Sequence, residues 1–137
     1  MALRTQEMKL TRTIHAKPQR VFAAFTSAAG WCEWCAEQAE ADARVGGKLH
    51  VYTEGYNAYG EFTELEADRT AAFTWNGDKE PPTLVQVRLD PVDDATLLTF
   101  KVTGLCSEPD WASFAPELER IWERVLNNLK NVLEEKS

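Results

Sequence analysis

The feature that most constrains the fold is a block of five short strand-like runs followed by one long helical pattern. From Val45 to Val102, apolar-rich runs are separated by Gly, Asn, Asp and Pro, the residues that favour turns. Their regular spacing predicts consecutive hairpins and therefore an antiparallel meander. The five runs are Lys48–Thr53, Tyr59–Glu66, Ala71–Trp75, Thr83–Leu89 and Thr96–Val102.

The segment from about Asp110 to Glu135 has the pattern of an amphipathic helix. Its apolar residues recur at steps of three or four, and charged residues and asparagines occupy the opposite face. Pro116 lies inside this segment, which predicts a separate or kinked first turn, because proline cannot donate a helical backbone hydrogen bond. The apolar positions are Phe114, Leu118, Trp122, Val125, Leu129 and Val132.

The N-terminal part of the chain predicts one strand and two short helices. Residues 8–15 alternate between apolar and polar, with Arg12 interrupting the apolar face. Pro18 stands where a helix would begin, and Gly30 is a candidate cap at its end. Residues 31–36 are interpreted as one more helical turn. The predicted order is strand, two helices, five strands and a long helix.

This order predicts an α+β fold in which the C-terminal helix covers the apolar face of a six-stranded antiparallel sheet. A strongly curved sheet does not lie flush on a straight helix, so we expect a mainly apolar cavity in the wedge between them. A chain of 137 residues is expected to form one domain, spanning residues 1–137.

Composition argues against several classes of partner. Asp and Glu total 22 against 15 Lys and Arg, a net charge of −7, whereas nucleic acids and anionic membranes bind basic surfaces. No apolar run approaches the roughly 20 residues of a membrane span, and the N-terminus lacks the apolar core of a signal peptide. We therefore expect a cytoplasmic protein with reduced cysteines, no nucleic-acid partner and no membrane partner.

Five short motifs follow one another in the order of a known family. They are AKPQRVFAAFT from Ala16, RVGGKLHV from Arg44, YGEFTELEADRTAAFTW from Tyr59, TLLTFKVTGL from Thr96 and WERVLNNLKNVLE from Trp122. Together they resemble the helix-grip superfamily called START-like, Bet v 1-like or SRPBCC. Within it they most resemble homologues of the C-terminal domain of the activator of the ninety-kilodalton heat-shock protein ATPase. Trp34 matches the Trp that precedes the second strand of that family.

The resemblance implies a helix-grip fold with a cavity, but it does not imply one activity. Relatives bind lipids, sterols or polyketides, dock on a chaperone, or cyclise aromatic substrates. We expect non-catalytic binding of a small hydrophobic or aromatic molecule, without a cofactor, by a monomer or homodimer. Docking on a heat-shock chaperone, with a role in the stress response, is the first alternative. A polyketide cyclase-like or hydrolytic enzyme is the second.

The residues expected to line the cavity are large apolar side chains on the strands and the long helix. Trp75 and Trp122 are the strongest candidates, because the wedge lies between their elements. Plain core packing is the competing interpretation for every one of these side chains, and no catalytic residue or metal ligand is predicted. The predicted cavity residues are Phe73, Trp75, Val87, Phe100, Leu118 and Trp122.

The stretch WCEWC, from Trp31 to Cys35, has three interpretations: a redox pair, half of a metal site, or a packing face. A thioredoxin-type pair needs a strand before it, whereas a helix is predicted there. A zinc set would lack a second pair of ligands at short spacing; its members would be Cys32, Cys35, Cys106 and His50. We expect reduced, partly buried thiols with no redox or metal role.

His50 has two placements that depend on the pleat of the second predicted strand. If Leu49 and Val51 face the core, His50 lies on the outer surface of the sheet. If the pleat is reversed, His50 and Tyr52 enter the cavity. The alternation of apolar and polar residues favours the outer placement.

Overall fold

The computed structural model describes residues 6–78 and 80–135. Seven strands and three helices are present in this part of the chain. In chain order they are β1 (Glu7–Ile14), α1 (Pro18–Thr26), α2 (Ala28–Trp34), β2 (Gln38–Ala41), β3 (Lys48–Thr53), β4 (Tyr56–Glu66), β5 (Thr70–Gly77), β6 (Thr83–Val92), β7 (Ala95–Gly104) and α3 (Glu108–Glu135).

The strands form one antiparallel sheet in the order β1-β7-β6-β5-β4-β3-β2. Strands β2 to β7 follow each other as a meander, and β1 joins the free side of β7. The register places Leu10 and Val87 on either side of Phe100, so one face of the sheet is apolar. A bulge between Phe62 and Glu64 interrupts the pairing of β4 with β5, which bends the sheet. The predicted α+β helix-grip architecture is confirmed.

The prediction of six strands was wrong by one, because the sequence did not reveal β2. This strand has only four residues, QAEA, and pairs with β3 through Ala39 opposite Val51 and Ala41 opposite Leu49. Its residues have little intrinsic preference for strands. The open edge of β3 supplies the hydrogen bonds that hold β2 in place, and an isolated four-residue pattern cannot report such a partner.

The long helix α3 is continuous from Glu108 to Glu135, so Pro116 does not separate its first turn. At about 1.5 Å per residue, α3 is roughly 42 Å long. The buried face of α3 differs from the prediction in two turns. Leu126 and Leu133 are buried there, whereas the predicted residues Val125 and Val132 are half-buried. The buried residues are Trp111, Leu118, Trp122, Leu126, Leu129 and Leu133. None of the helices among the described residues has the length and apolar character needed to cross a membrane.

The tryptophans of α2 pack against β5. Trp31 is fully buried, and its ring centroid lies 5.1 Å from that of Trp34 and 5.5 Å from that of Trp75, with interplanar angles of 23° and 28°. Its indole N–H donates to the carbonyl of Phe25 at 3.0 Å. From α3, the ring of Trp122 meets that of Trp75 edge-on at 5.4 Å. The stacked indoles therefore connect α1, α2, β5 and α3 in one aromatic core.

Gly30 lies inside α2 rather than at the helix end that the sequence predicted. Helix α1 ends at Thr26, and the Ser27 hydroxyl accepts a hydrogen bond from the Gly30 N–H at 2.9 Å, which makes Ser27 the N-cap of α2. A Cβ atom on Gly30 would lie 2.0 Å from the carbonyl oxygen of Ala23. Glycine is needed here because α1 and α2 meet backbone to backbone.

Replacing Trp31 with alanine is expected to lower the free energy of unfolding by roughly 3–5 kcal/mol, the usual cost of removing a large buried ring. The neighbouring Cys32 is exposed, so Cys32→Ala is expected to change the free energy of unfolding by less than about 0.5 kcal/mol. Urea unfolding followed by circular dichroism measures both. A loss below about 1 kcal/mol for Trp31→Ala would show that the stacked indoles are not central to the core.

Candidate functional site

A partly open cavity of about 530 Å³ lies between the sheet and α3. Small-molecule sites in proteins are typically about 300–1,000 Å³, so the cavity is large enough for a drug-sized ligand. Its walls come from the end of α2, from β3, β4 and β5, from the β5–β6 loop and from α3. The lining residues are Trp34, Cys35, Thr53, Tyr56, Trp75, Glu80, Leu118, Ile121, Trp122, Arg124, Val125 and Asn128.

Half of the residues predicted to line the cavity do so. Trp75, Leu118 and Trp122 are on its wall. The other three, Phe73, Val87 and Phe100, are buried in the core instead. The centroid of Phe73 lies 5.9 Å from that of Trp31, and the centroid of Phe100 lies 4.7 Å from that of Trp122, so both rings pack against indoles of the aromatic core. Contact of these six residues with a ligand stays a prediction.

Asn128 fixes one corner of the cavity. Its side-chain amide donates a hydrogen bond to the carbonyl oxygen of Trp34, the last residue of α2. A C-terminal carbonyl of a helix has no partner within that helix, so Asn128 supplies one from α3. This bond holds the end of α2 beside α3 at the cavity wall.

Three polar side chains form a chain of hydrogen bonds at another part of the wall. The Trp75 indole N–H donates to the Tyr56 hydroxyl oxygen at 3.2 Å, and the Tyr56 hydroxyl donates to Glu80 Oε1 at 2.7 Å. A Cβ atom at Gly77 would lie 2.0 Å from the Tyr56 hydroxyl oxygen and 2.1 Å from Glu80 Oε1. Glycine at position 77 therefore leaves the space in which Tyr56 and Glu80 meet.

Burial shifts the titration of both groups in the same direction. Burial raises the pKa of Glu80 above its ordinary value; the hydrogen bond from Tyr56 opposes this shift, and the nearby charges of Glu117 and Asp78 add to it. Burial, followed by the hydrogen bond to Glu80, raises the pKa of Tyr56 well above its usual range. Tyr56 is therefore a hydrogen-bond donor at physiological pH, and Glu80 is the acceptor.

The Trp122 indole N–H is a buried donor rather than a polar group open to the cavity. Trp122 is 3% exposed, and its Nε1 atom is buried with no hydrogen-bond acceptor in the described part of the chain. By contrast, the Trp34 N–H donates to the carbonyl of Ala24 at 3.0 Å. A buried donor left without an acceptor costs about 1–3 kcal/mol. The Trp122 N–H has no surface open to the cavity, so it offers no hydrogen bond to a ligand there.

The structure explains the WCEWC stretch as a packing face. Trp31 and Trp34 are three positions apart in α2 and both face the core, as helical spacing dictates. Cys35 follows at the end of α2, where burial first and then the neighbouring Cys32 raise its pKa to about 11. The Cys35 side chain is therefore a thiol rather than a thiolate near neutral pH, and thiols are poor nucleophiles and poor metal ligands.

The described residues do not form the zinc site that the sequence analysis considered. Within residues 6–78 and 80–135, no group of three or more His, Cys, Asp or Glu side chains is arranged to hold a metal ion. The three cysteines are free; Cys32 is exposed, and Cys35 and Cys106 are half-buried. The absence of a redox or metal role stays a prediction.

His50 is on the outer surface of β3, as the alternation favoured. Leu49 and Val51 are buried in the core, and His50 and Tyr52 are not among the cavity residues. The His50 ring lies parallel to that of Tyr59 with centroids 4.4 Å apart, and its Nε2 atom is 2.8 Å from Asn57 Oδ1. These contacts account for His50 without any role in the cavity.

Sequence reasoning missed Tyr56 and Glu80, the hydrogen-bonded pair on the cavity wall. Both lie next to turns: Tyr56 follows Gly55 at the start of β4, and Glu80 precedes Pro81-Pro82. A single Tyr or Glu in a turn-rich stretch usually faces solvent, so the pattern carried no signal for a buried pair. Only the pairing of β3, β4 and β5 brings the two turns together.

Glu80→Gln is expected to melt at a higher temperature than wild type, and this difference in melting temperature should grow as pH rises from about 4 to 7. Because the pKa of Glu80 is raised above 4.5 in the folded protein, ionisation of Glu80 removes stability as pH rises through that raised value. Glutamine does not ionise and still offers an oxygen to Tyr56. Thermal unfolding across this pH range tests the expectation.

The matched control for that series is Glu119→Gln, which removes the same charge from an exposed position of α3. The difference in melting temperature between Glu119→Gln and wild type is expected to change little with pH. A Glu80→Gln difference that stays constant, or decreases toward neutral pH, would contradict the burial of this carboxylate.

Comparison with known proteins places this fold among solved structures. Protein MLL2253 from Mesorhizobium loti has a TM-score of 0.83 at 20% sequence identity, covering 96% of this chain and 98% of that one. CalU16 from Micromonospora echinospora has a TM-score of 0.75 at 23% identity, covering 95% and 77%. The Aha1 dimer from Colwellia psychrerythraea has a TM-score of 0.79 at 22% identity, covering 93% and 96%. At these identities the likeness shows a shared fold.

No curated protein matches this sequence significantly. The family described as Activator of Hsp90 ATPase homolog 1-like protein matches residues 15–134. This match includes every element from α1 to β7 and nearly all of α3, so it extends over most of the chain. It also agrees with the motifs that led to the family from the sequence. The chain belongs to the Activator of Hsp90 ATPase homolog 1-like family.

Proposed function

We propose that this protein binds a small apolar or aromatic molecule, without catalysis, in the cavity between the sheet and α3. The observation that carries the proposal is the cavity itself: about 530 Å³ of space with indole and aliphatic walls. Trp75 and Trp122 contribute indole surface, and Leu118 and Val125 contribute aliphatic surface. A few polar groups then fix the orientation of a ligand, as in small-molecule sites generally.

The energy available in such a cavity is sufficient for useful affinity. A medium-sized aromatic ligand that buries roughly 300 Å² of apolar surface gains roughly 7 kcal/mol before the costs of association. Micromolar affinity requires about 8 kcal/mol, so polar contacts must add to the apolar gain. The Glu80 carboxylate, which lines the cavity, is available for such contacts.

The same residues favour binding over catalysis. Among the described residues, no histidine or serine lines the cavity, so that part of the wall lacks the usual pairing of a nucleophile with a base. Burial keeps Cys35 protonated, with its pKa raised to about 11. Tyr56 also retains its proton, because burial raises its pKa. These side chains act as hydrogen-bonding groups.

The family match favours one further candidate, docking on a heat-shock chaperone. The family is described by its likeness to an activator of the Hsp90 ATPase, and the similar structure from Colwellia psychrerythraea is that of an Aha1 dimer. This chain would then act through its surface, as a monomer or homodimer, and the cavity would be incidental. A cytoplasmic location, expected from the sequence, suits both functions.

Filling the cavity is expected to abolish ligand binding without unfolding the protein. Val125 is half-buried on the wall, so Val125→Trp places an indole in the ligand space. Val132, also half-buried on α3 and outside the cavity lining, provides the matched control Val132→Trp. Fluorescence titration with N-phenyl-1-naphthylamine, uncharged at neutral pH, measures the dissociation constant of each protein.

We expect saturable binding to wild type in the micromolar range. The affinity of Val125→Trp should fall by at least about tenfold, and Val132→Trp should stay within about twofold of wild type. Circular dichroism confirms that both variants are folded. Equal binding by Val125→Trp and wild type would remove the cavity from consideration, and no saturable binding by wild type would leave chaperone docking as the better candidate.

A further inference from the structure

We propose that the ligand of this cavity carries a positively charged nitrogen on its aromatic body, and that Glu80 binds this nitrogen. The inference rests on the proposed function and specifies the chemical class of the ligand. It follows from the hydrogen bonding of Glu80, from the charges around it and from the rings beside it.

Glu80 has unused capacity to accept hydrogen bonds. A carboxylate offers about four acceptor positions on its two oxygens. Tyr56 donates to Oε1, and no other side-chain hydrogen bond or ion pair to Glu80 is formed within the described chain. Glu80 is half-buried and lines the cavity. Its free acceptor positions are therefore available to a ligand rather than committed to the protein.

The charges near Glu80 are also negative. Asp78 and Glu117 both lie close enough to raise the pKa of Glu80 further. No described Lys or Arg forms an ion pair with any of these three carboxylates. Among the described residues that line the cavity, the cation is Arg124. It is seven residues beyond Glu117 on α3, which is roughly 10 Å along the helix axis. The acidic end of the cavity thus has one carboxylate on the wall, Glu80, and two nearby that do not line the cavity, and together they attract positive charge.

Aromatic rings surround the same acidic end. Tyr56 donates to Glu80, and Trp75 donates to Tyr56, so both rings are directly connected to the carboxylate. The ring of Trp122 lies 5.4 Å from that of Trp75 and also lines the cavity. Cations interact favourably with the faces of Trp and Tyr rings. A protonated amine is the group that satisfies a carboxylate and these rings together.

Negative and neutral ligands are expected to bind less tightly beside Glu80. A carboxylate on the ligand would meet the negative charge of Glu80, with those of Asp78 and Glu117 nearby, and would have to bind near Arg124 instead. A neutral ligand would leave the acceptor positions of Glu80 without a charged donor, and hydrogen bonds from charged donors are roughly twice as strong as neutral ones. The charge of the preferred ligand is therefore a direct test of the inference.

Three probes with one naphthalene body and different charges make that test. They are 2-naphthylmethylamine, which is positive at neutral pH, 2-naphthylmethanol, which is neutral, and 2-naphthoic acid, which is negative. Isothermal titration calorimetry on the intact chain gives the three dissociation constants. We expect the amine to bind at least about tenfold more tightly than the alcohol, and the acid to bind most weakly.

Variants then assign the preference to Glu80. Glu80→Gln is expected to reduce the affinity for the amine to about that for the alcohol, while changing the affinity for the alcohol by less than about threefold. Glu119→Gln removes an equal charge from an exposed position outside the cavity lining and should keep the preference. This control separates contact with Glu80 from attraction by the net charge.

Each outcome is decisive. Tightest binding of the acid, equal binding of amine and alcohol, or an amine preference that survives in Glu80→Gln would overturn the inference while leaving apolar binding intact. If Glu80→Gln does not fold, the dissociation constants of the three probes for wild type are enough to test the inference. Binding of none of the three probes would instead overturn the proposed function, on which the inference rests.

Discussion

The stacking of Trp31 between Trp34 and Trp75 is the interaction on which the rest of the structure depends. It attaches a seven-residue helix, too short to be stable alone, to the middle of the sheet. The edge contact of Trp75 with Trp122 extends the same cluster to α3. Since large rings each bury about 150–250 Å², this cluster supplies a substantial part of the apolar burial that the fold requires.

The cavity is a consequence of how this aromatic core is arranged. Indoles from α2, β5 and α3 meet at their edges and faces, and α3 is held beside the end of α2 by the bond from Asn128 to Trp34. The space beyond these contacts is left to Tyr56, the first residue of β4, and to Glu80 in the β5–β6 loop. A strongly apolar core and a partly polar cavity therefore share Trp34, Trp75 and Trp122.

The sequence revealed those parts of the fold that have their own periodicity. Strands β3 to β7 and helix α3 have patterns of period two or 3.6 that are long enough to read without knowledge of their partners. Strand β2 could not be read, because its pairing with β3 rather than its own residues makes it a strand. The shift from Val125 to Leu126 in the buried stripe arises where a helix side meets a twisted sheet, a matter of tertiary geometry.

The candidate site was predictable in its apolar half and not in its polar half. Trp75, Leu118 and Trp122 are large apolar residues on elements that face each other, so pattern and topology together indicated them. Phe73 and Phe100 satisfy the same criteria, yet other rings cover them. No local sequence pattern distinguishes a residue that lines the cavity from one buried in the core behind it. The Tyr56–Glu80 pair depends on two turns, 24 residues apart, meeting in space.

The most direct test of this account is a crystal structure of the protein with N-phenyl-1-naphthylamine bound. The account predicts electron density for the probe within the cavity, in van der Waals contact with Trp75, Leu118 and Trp122 at about 3.5–4.0 Å. A cavity filled by rearranged side chains, or a probe bound only on the outer surface of the sheet, would contradict the central claim that this space is the functional site.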